Sequence, residues 1–245
     1  MKTPCLVLLT AVLLNSVSGI RVRGQQTAED PREQYATMVK NAYGQDQELV
    51  NGRQYYNRHP LCKGSPHLFD GMMQQGSVTI RGERYDRLLL RYDIYNQQVE
   101  VEYRTINGAR NQVVLVGDRI DAFTIGPLSF RNMMMEEGPP KTFQVAGYGN
   151  AVFYIQWEKK LIPLHNDTEF LEEYTASRNH ISLKLGNELL QVRNRRQLNA
   201  LLPEEIQKDV KRLFRTRDFN FRAATPVEMD IFLKEVSAML NQGSA

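Results

Sequence analysis

The stretch that decides the fold class is Leu88-Leu89-Leu90-Arg91-Tyr92-Asp93-Ile94-Tyr95-Asn96-Gln97-Gln98-Val99-Glu100-Val101-Glu102-Tyr103. Leu88, Leu90, Tyr92 and Ile94 alternate with Arg91, Asp93 and Tyr95. Val99, Val101 and Tyr103 then alternate with Glu100, Glu102 and Arg104. A period of two belongs to a strand with one face in the core and one in water, because successive side chains leave the pleat on opposite sides.

The same period extends outward from about Leu49 to Val192. Phe153, Ile155 and Trp157 share one face, as do Ile181, Leu183 and Leu185, while Val113 to Val116 is apolar throughout. Between the runs stand Asn51-Gly52, Arg81-Gly82, Asn107-Gly108, Gly149-Asn150 and Gly186-Asn187, pairs that tolerate the positive φ of tight hairpins. No helical crossover separates successive strands before residue 170, so antiparallel pairing is expected. Pro139-Pro140, following Met133-Met134-Met135-Glu136-Glu137-Gly138, marks a loop or flap.

After Asn194 the period becomes helical. Ile206, Val210, Leu213 and Phe214 fall on one face, and Met229, Phe232, Leu233, Val236, Met239 and Leu240 form a stronger stripe. Thr225, Pro226 and Glu228 supply the N-cap, first position and capping-box acid of that last helix. The expected architecture is α+β: a mainly antiparallel sheet of roughly seven to ten strands, curved or a partial barrel, closed by two C-terminal amphipathic helices. It spans 47–241 as one domain, β-rich over 47–192 and helical over 195–241.

The first 24 residues read as a secretory signal peptide. Lys2 precedes the apolar run Leu6–Leu14, and small residues follow up to a cut after Ser18, Gly19 or, preferred here, Gly24. The run is too short to span a bilayer, and Cys5 precedes it, so it is not a lipoprotein cysteine. Residues 25–46 are a polar tether or short helix. Localisation is therefore expected to be periplasmic or extracellular. The chain has 31 Lys and Arg against 28 Asp and Glu; losing Lys2, Arg21 and Arg23 leaves 28 of each. A neutral product is a poor general binder of nucleic acid, which needs net neutralisation of phosphates. Cys62 then stands as the one cysteine, and no intramolecular disulfide is expected.

Three phrases carry a family resemblance: Asn51-Gly52-Arg53-Gln54-Tyr55-Tyr56, Gly76-Ser77-Val78-Thr79-Ile80, and Leu89-Leu90-Arg91-Tyr92-Asp93-Ile94-Tyr95-Asn96-Gln97-Gln98-Val99. With the later Phe153-Tyr154 and a terminal helix pair, their order resembles exported β-rich proteins of Bacteroidetes-type bacteria. The resemblance implies an envelope location and a mainly β fold. It carries no activity.

Chemistry-bearing residues concentrate in Arg58-His59-Pro60-Leu61-Cys62-Lys63-Gly64-Ser65-Pro66-His67, with Asp70 nearby. His59, Cys62 and His67 are the candidate metal ligands, since imidazole and thiolate suit zinc or copper, and also the candidate centre of a hydrolase. Their spacing matches no zinc motif, and satisfied surface histidines are the simpler reading. Gly-x-Ser-x-Gly, His-Glu-x-x-His and Walker motifs are absent, and Gly147-Tyr148-Gly149 lacks the third glycine of a dinucleotide site. The balance leans against an enzyme, and no cofactor is expected.

A partner or ligand surface is expected at Tyr92, Tyr95, Tyr103, Met133, Met134 and Met135, whose rings and thioethers suit recognition of an envelope protein, a peptide or a lipid. Plain packing competes with that reading, because aromatics favour strands and methionines fill cores. Between Arg193 and Arg222 nine basic residues face four acidic ones, and Lys208, Lys211, Arg212 and Arg215 lie opposite the apolar face of their helix, where they suit an anionic membrane surface.

Overall fold

Turn chemistry sets the strand order. In the computed structural model Arg81 and Gly82 both take positive φ, 51° and 81°, between the strands Gln74–Ile80 and Glu83–Asp93, as a hairpin whose twist matches its strands requires. The structure describes residues 49, 52–104, 107–135 and 138–242. The signal peptide over 1–24 and the tether over 25–46 lie outside the described residues. The strands are β1 (Arg53–Gln54), β2 (Cys62–Lys63), β3 (Gln74–Ile80), β4 (Glu83–Asp93), β5 (Gln98–Arg104), β6 (Arg110–Val114), β7 (Ile120–Ile125), β8 (Leu128–Met133), β9 (Lys141–Tyr148), β10 (Ala151–Glu158), β11 (Leu161–Pro163), β12 (Glu172–Tyr174), β13 (Arg178–Leu185) and β14 (Glu188–Val192).

Eleven of them form one antiparallel sheet in the order β1-β6-β5-β4-β3-β7-β8-β9-β10-β13-β14, not closed into a barrel. The α+β class and antiparallel sheet expected from the sequence are what the chain adopts. Details differ: the large sheet has eleven strands where roughly seven to ten were expected. The loop read over 58–67 contributes β2, which pairs in parallel with β12, and β12 pairs with β11, giving a second, three-stranded sheet.

The large sheet curls. Gln97, in the β4–β5 turn, donates from Nε2 to the Trp157 carbonyl at 2.9 Å, although four strands separate β4 from β10 in the sheet order. Lys159 Nζ, just past β10, donates to the carbonyls of Ser65 (2.7 Å) and His67 (2.9 Å). The concave side is filled with side chains. Tyr92, Phe123, Phe130, Phe153, Ile155 and Trp157 are each at most 2% exposed, and the Phe123 and Phe130 rings stack at 4.7 Å.

Three helices follow where two were expected: α1 (Arg195–Leu201), α2 (Glu204–Thr216) and α3 (Pro226–Gln242). Asn194 caps α1 by accepting from the Gln197 N–H. The extra helix is too short for its periodicity to stand out from that of α2. The capping box forms as read: Thr225 Oγ1 accepts from Glu228 N–H at 3.3 Å and Glu228 Oε2 accepts from Thr225 N–H at 2.8 Å. The Thr225 N–H, and then the Thr225 hydroxyl, which also donates to Oε2, hold the exposed Glu228 carboxyl below its ordinary range.

Helix α3 packs across β8, β9 and β10. Met229, Leu233 and Val236 are fully buried, and Ser237 Oγ donates to the Ala151 carbonyl at 2.6 Å while accepting from Tyr148 N–H at 3.1 Å. Such close seating needs Gly147, whose φ is 96° and whose added Cβ would lie 2.6 Å from Ser237 Cβ and 2.9 Å from the Ala151 carbonyl oxygen. Gly147→Ala is expected to cost about 2–4 kcal/mol, combining left-handed strain with overpacking. Urea unfolding followed by circular dichroism measures it, and a loss under about half a kcal/mol would show that α3 seats more loosely than described.

Candidate functional site

Strand register gathers the site. Arg91 pairs with Glu100 and Asp93 with Gln98 across β4 and β5, while His67 bridges to Asp93 on the other side of β4. Side chains at 67, 91, 93, 98 and 100 therefore share one face, the one opposite Leu90 and Tyr92. Alternation alone would give that face to water. It is buried instead: the segment from Gly64 to Met72 runs beside β4, held by Leu68 N–H to the Tyr92 carbonyl (2.9 Å) and Ile94 N–H to the Pro66 carbonyl (3.0 Å), and its Gly71 carbonyl reaches over the face to accept from Arg91 Nη1 at 3.4 Å. Glu100 is 1% exposed, and His67 and Asp93 3% each.

The buried charges are paired at close range. Arg91 Nε donates to Glu100 Oε2 at 2.6 Å, and His67 Nε2 lies 3.0 Å from Glu100 Oε1. His67 Nδ1 lies 3.0 Å from Ser65 Oγ, which accepts from the His67 N–H at 3.2 Å. One assignment satisfies every atom: Nε2–H donates to Glu100, and Ser65 O–H donates to Nδ1. Arg91 also sits 4.7 Å from the centre of the Tyr55 ring. Burial, then the Glu100 charge, pushes the Tyr55 hydroxyl up. Asp93 Oδ1 accepts from the N–H groups of Tyr95 and Asn96, and Oδ2 from Asn96 Nδ2. Lys159 is lowered by its own burial, partly offset by Asp70.

Ligand atoms of His67, Asp93 and Glu100 lie within 4.8 Å of one another, the geometry of a metal triad. The donor set fits a cation poorly, because the Arg91 guanidinium holds one Glu100 oxygen and Asp93 already accepts three hydrogen bonds. Ser65, His67 and Glu100 likewise line up as nucleophile, base and orienting acid. Ser65 Oγ also accepts from the His67 N–H in a local turn two residues long. Together these buried, hydrogen-bonded groups form a polar platform.

Above the platform lies a pocket of about 250 Å³. Its walls come from five separate segments: Arg53 to His59, Pro66, Asp93 with Asn96 and Gln98, Val114, and Tyr174. Arg53 is steered by a bond to Gln98 Oε1 at 3.2 Å. His59 is held by Glu172 Oε2, 2.8 Å from Nδ1, and stands edge-on to the rings of Tyr95 and Tyr174, which pack on each other. The lining is rich in donors, acceptors and tyrosine rings, with three basic side chains on its wall.

The residues singled out in the sequence are dispersed. His59, Cys62 and His67 do not converge: His59 joins Glu172, His67 joins the platform, and Cys62 lies in β2, its thiol pushed up by burial. Tyr92 is corrected from a recognition surface to the core. It is 1% exposed, packs edge-on against Phe123 and Phe130, and donates its hydroxyl to Gln97 Oε1 at 2.6 Å. Tyr95 packs behind His59, and Tyr103 is half-buried with its hydroxyl accepting from Asn111 Nδ2. Met133 is half-buried, while Met134 and Met135 are exposed at 79% and 36%; none of the three lines the pocket. Lys208, Lys211, Arg212 and Arg215 are all exposed on α2.

Arg91, Asp93 and Glu100 escaped the sequence reading. The available signal was three charges on the polar faces of two strands expected to pair, next to a loop rich in histidine. Comparison with family models, with curated proteins and with solved structures finds no significant match. Among the described residues, no helix is long and apolar enough to cross a membrane.

Proposed function

We propose that the chain is an exported, non-enzymatic binding module of the cell envelope, and that the pocket between Arg53–His59 and the β4–β5 turn takes a small polar ligand. The observation that carries this reading is the convergence of polar side chains from three segments, residues 53–59, residues 93–98 and Tyr174, on a platform already fixed by the Arg91–Glu100–His67 pairs. Preorganised polar groups of this kind confer orientation and specificity on a ligand. The filled concave side of the sheet speaks against carriage of a lipid there. A thiol pushed up by burial is the reverse of an activated nucleophile.

The test is amide NMR of the protein titrated with millimolar monosaccharides, short dicarboxylates and dipeptides. At least one class is expected to shift residues 53–59 and 96–98 together, and the shift is expected to vanish in Tyr56→Ala/Arg58→Ala, two exposed lining positions. Shifts that fall elsewhere, that survive the double substitution, or that no class produces would sink the reading.

A further inference from the structure

A second surface, separate from the pocket, concentrates positive charge. Lys208, Lys211, Arg212 and Arg215 recur at the spacing of one face of α2, all exposed, opposite the buried Val210 and Phe214. Helix α1 adds to it. The Arg195 guanidinium stacks over the Phe214 ring at 4.7 Å, and its Nη2 donates to the Lys211 carbonyl at 3.4 Å. Arg215 Nε donates to that same carbonyl, also at 3.4 Å. The two guanidinium nitrogens can be no farther apart than twice that distance.

Side by side, these cations have little within the fold to neutralise them. Arg212 has Asp209 at 2.9 Å. Among the described residues, no carboxylate forms an ion pair with Arg195, Lys208, Lys211 or Arg215. The concentration is local. Residues 193–222 hold nine of the 31 basic side chains and four of the 28 acidic ones, so the remainder of the chain has 22 bases against 24 acids. A pole of one sign on an otherwise acidic molecule fixes the orientation in which it meets an oppositely charged surface.

We propose that the α1–α2 face docks on a bilayer carrying anionic phosphate headgroups. The occupant is a surface rather than a single ion because the row from Lys208 to Arg215 runs about 10 Å along the helix at 1.5 Å per residue. Arg195 widens that row from the neighbouring helix. The acidic balance of the remaining chain disfavours a polyanion that would wrap beyond this face, as a nucleic acid does. Each basic residue near an anionic leaflet strengthens attachment roughly five-fold. The face is thus expected to hold the protein on the membrane with the strength of several such contacts.

The experiment is co-sedimentation of the leaderless protein with vesicles containing one third phosphatidylglycerol, with pure phosphatidylcholine vesicles as reference. Binding is expected to the anionic vesicles at low salt, to be absent with phosphatidylcholine, and to be lost near half-molar salt, where screening is strong. Arg195→Glu/Lys211→Glu/Arg215→Glu is expected to weaken binding at least a hundredfold. Because Arg195 packs on Phe214, Lys208→Glu/Lys211→Glu provides a second variant that touches only exposed side chains, with an unchanged melting temperature as its control. No binding to anionic vesicles, or binding unaltered in Lys208→Glu/Lys211→Glu, would overturn the proposal. So would release by millimolar inorganic phosphate at constant ionic strength, or tighter binding to duplex DNA than to the vesicles. None of these outcomes bears on the pocket, whose test uses soluble ligands.

Discussion

Glu100→Ala is expected to destabilise the domain by about 3–5 kcal/mol, as removal of one partner from a buried ion pair does. The Glu100 side chain is 1% exposed and Arg91 14%, so the substitution strands a guanidinium that the covering segment shields from water. It also orphans His67 Nε2, whose one described partner is Glu100. The loss should appear as a lower urea midpoint with a near-unchanged slope, since the whole domain unfolds in both proteins. Removing both charges with Arg91→Met/Glu100→Leu is expected to recover only the part of the loss that comes from the stranded guanidinium, because an apolar pair needs no desolvation while His67 Nε2 still lacks its acceptor. If Glu100→Ala proved neutral, the segment from Gly64 to Met72 would have to stand open to water in solution.

Trp157→Ala is the second large effect expected, at about 3–5 kcal/mol. Trp157 is the chain's single tryptophan and is 1% exposed at the end of β10. Its Nε1 donates to Gln144 Oε1 at 2.7 Å, and Gln144 Nε2 donates in turn to the Pro226 carbonyl at 3.0 Å, where α3 begins. Alanine thus opens a cavity and leaves a fully buried amide oxygen without its donor. Trp157→Phe separates the two contributions. It keeps most of the volume and is expected to cost about 1–3 kcal/mol for the unsatisfied acceptor and the smaller ring. Chemical unfolding followed by far-ultraviolet circular dichroism reads all three proteins on one scale. Equal stabilities for Trp157→Phe and the parent would dismiss the Gln144 link.

Period-two alternation exposed the large sheet because strands such as β10 bury one face by themselves, with Ala151, Phe153, Ile155 and Trp157 inward. Turn pairs such as Arg81-Gly82 carried their own backbone signal, and the Thr225–Glu228 box marked the start of α3. What stayed hidden was everything that depends on a second layer. The alternation of Arg91, Asp93 and Glu100 looks the same whether a loop covers it or water does, and the segment that covers it has no periodicity. Tyr92 was misplaced for a related reason. A tyrosine on an apolar face sits in the core when its hydroxyl finds a partner, and that partner, Gln97, lies in a turn whose shape alternation does not encode. The β2–β12 pairing joins residues near 62 to residues near 173, a separation that no local pattern reaches.

The curl that brings the β4–β5 turn against the end of β10 also bears on the order of events in folding. Gln97 with Trp157, Lys159 with Ser65 and His67, and His59 with Glu172 all join segments 60 or more residues apart in sequence. Hairpins such as β3–β4 and β9–β10 close short loops, whereas this seam closes long ones and forms at greater entropic cost. The seam is therefore expected to zip last and to open first. The pocket leans on it, since His59 and Tyr174 belong to the late-joining side. A molecule bound there would act as a latch, slowing unfolding more than it speeds folding, and its grip would be read in the exchange lifetimes of amides around residues 62 and 173.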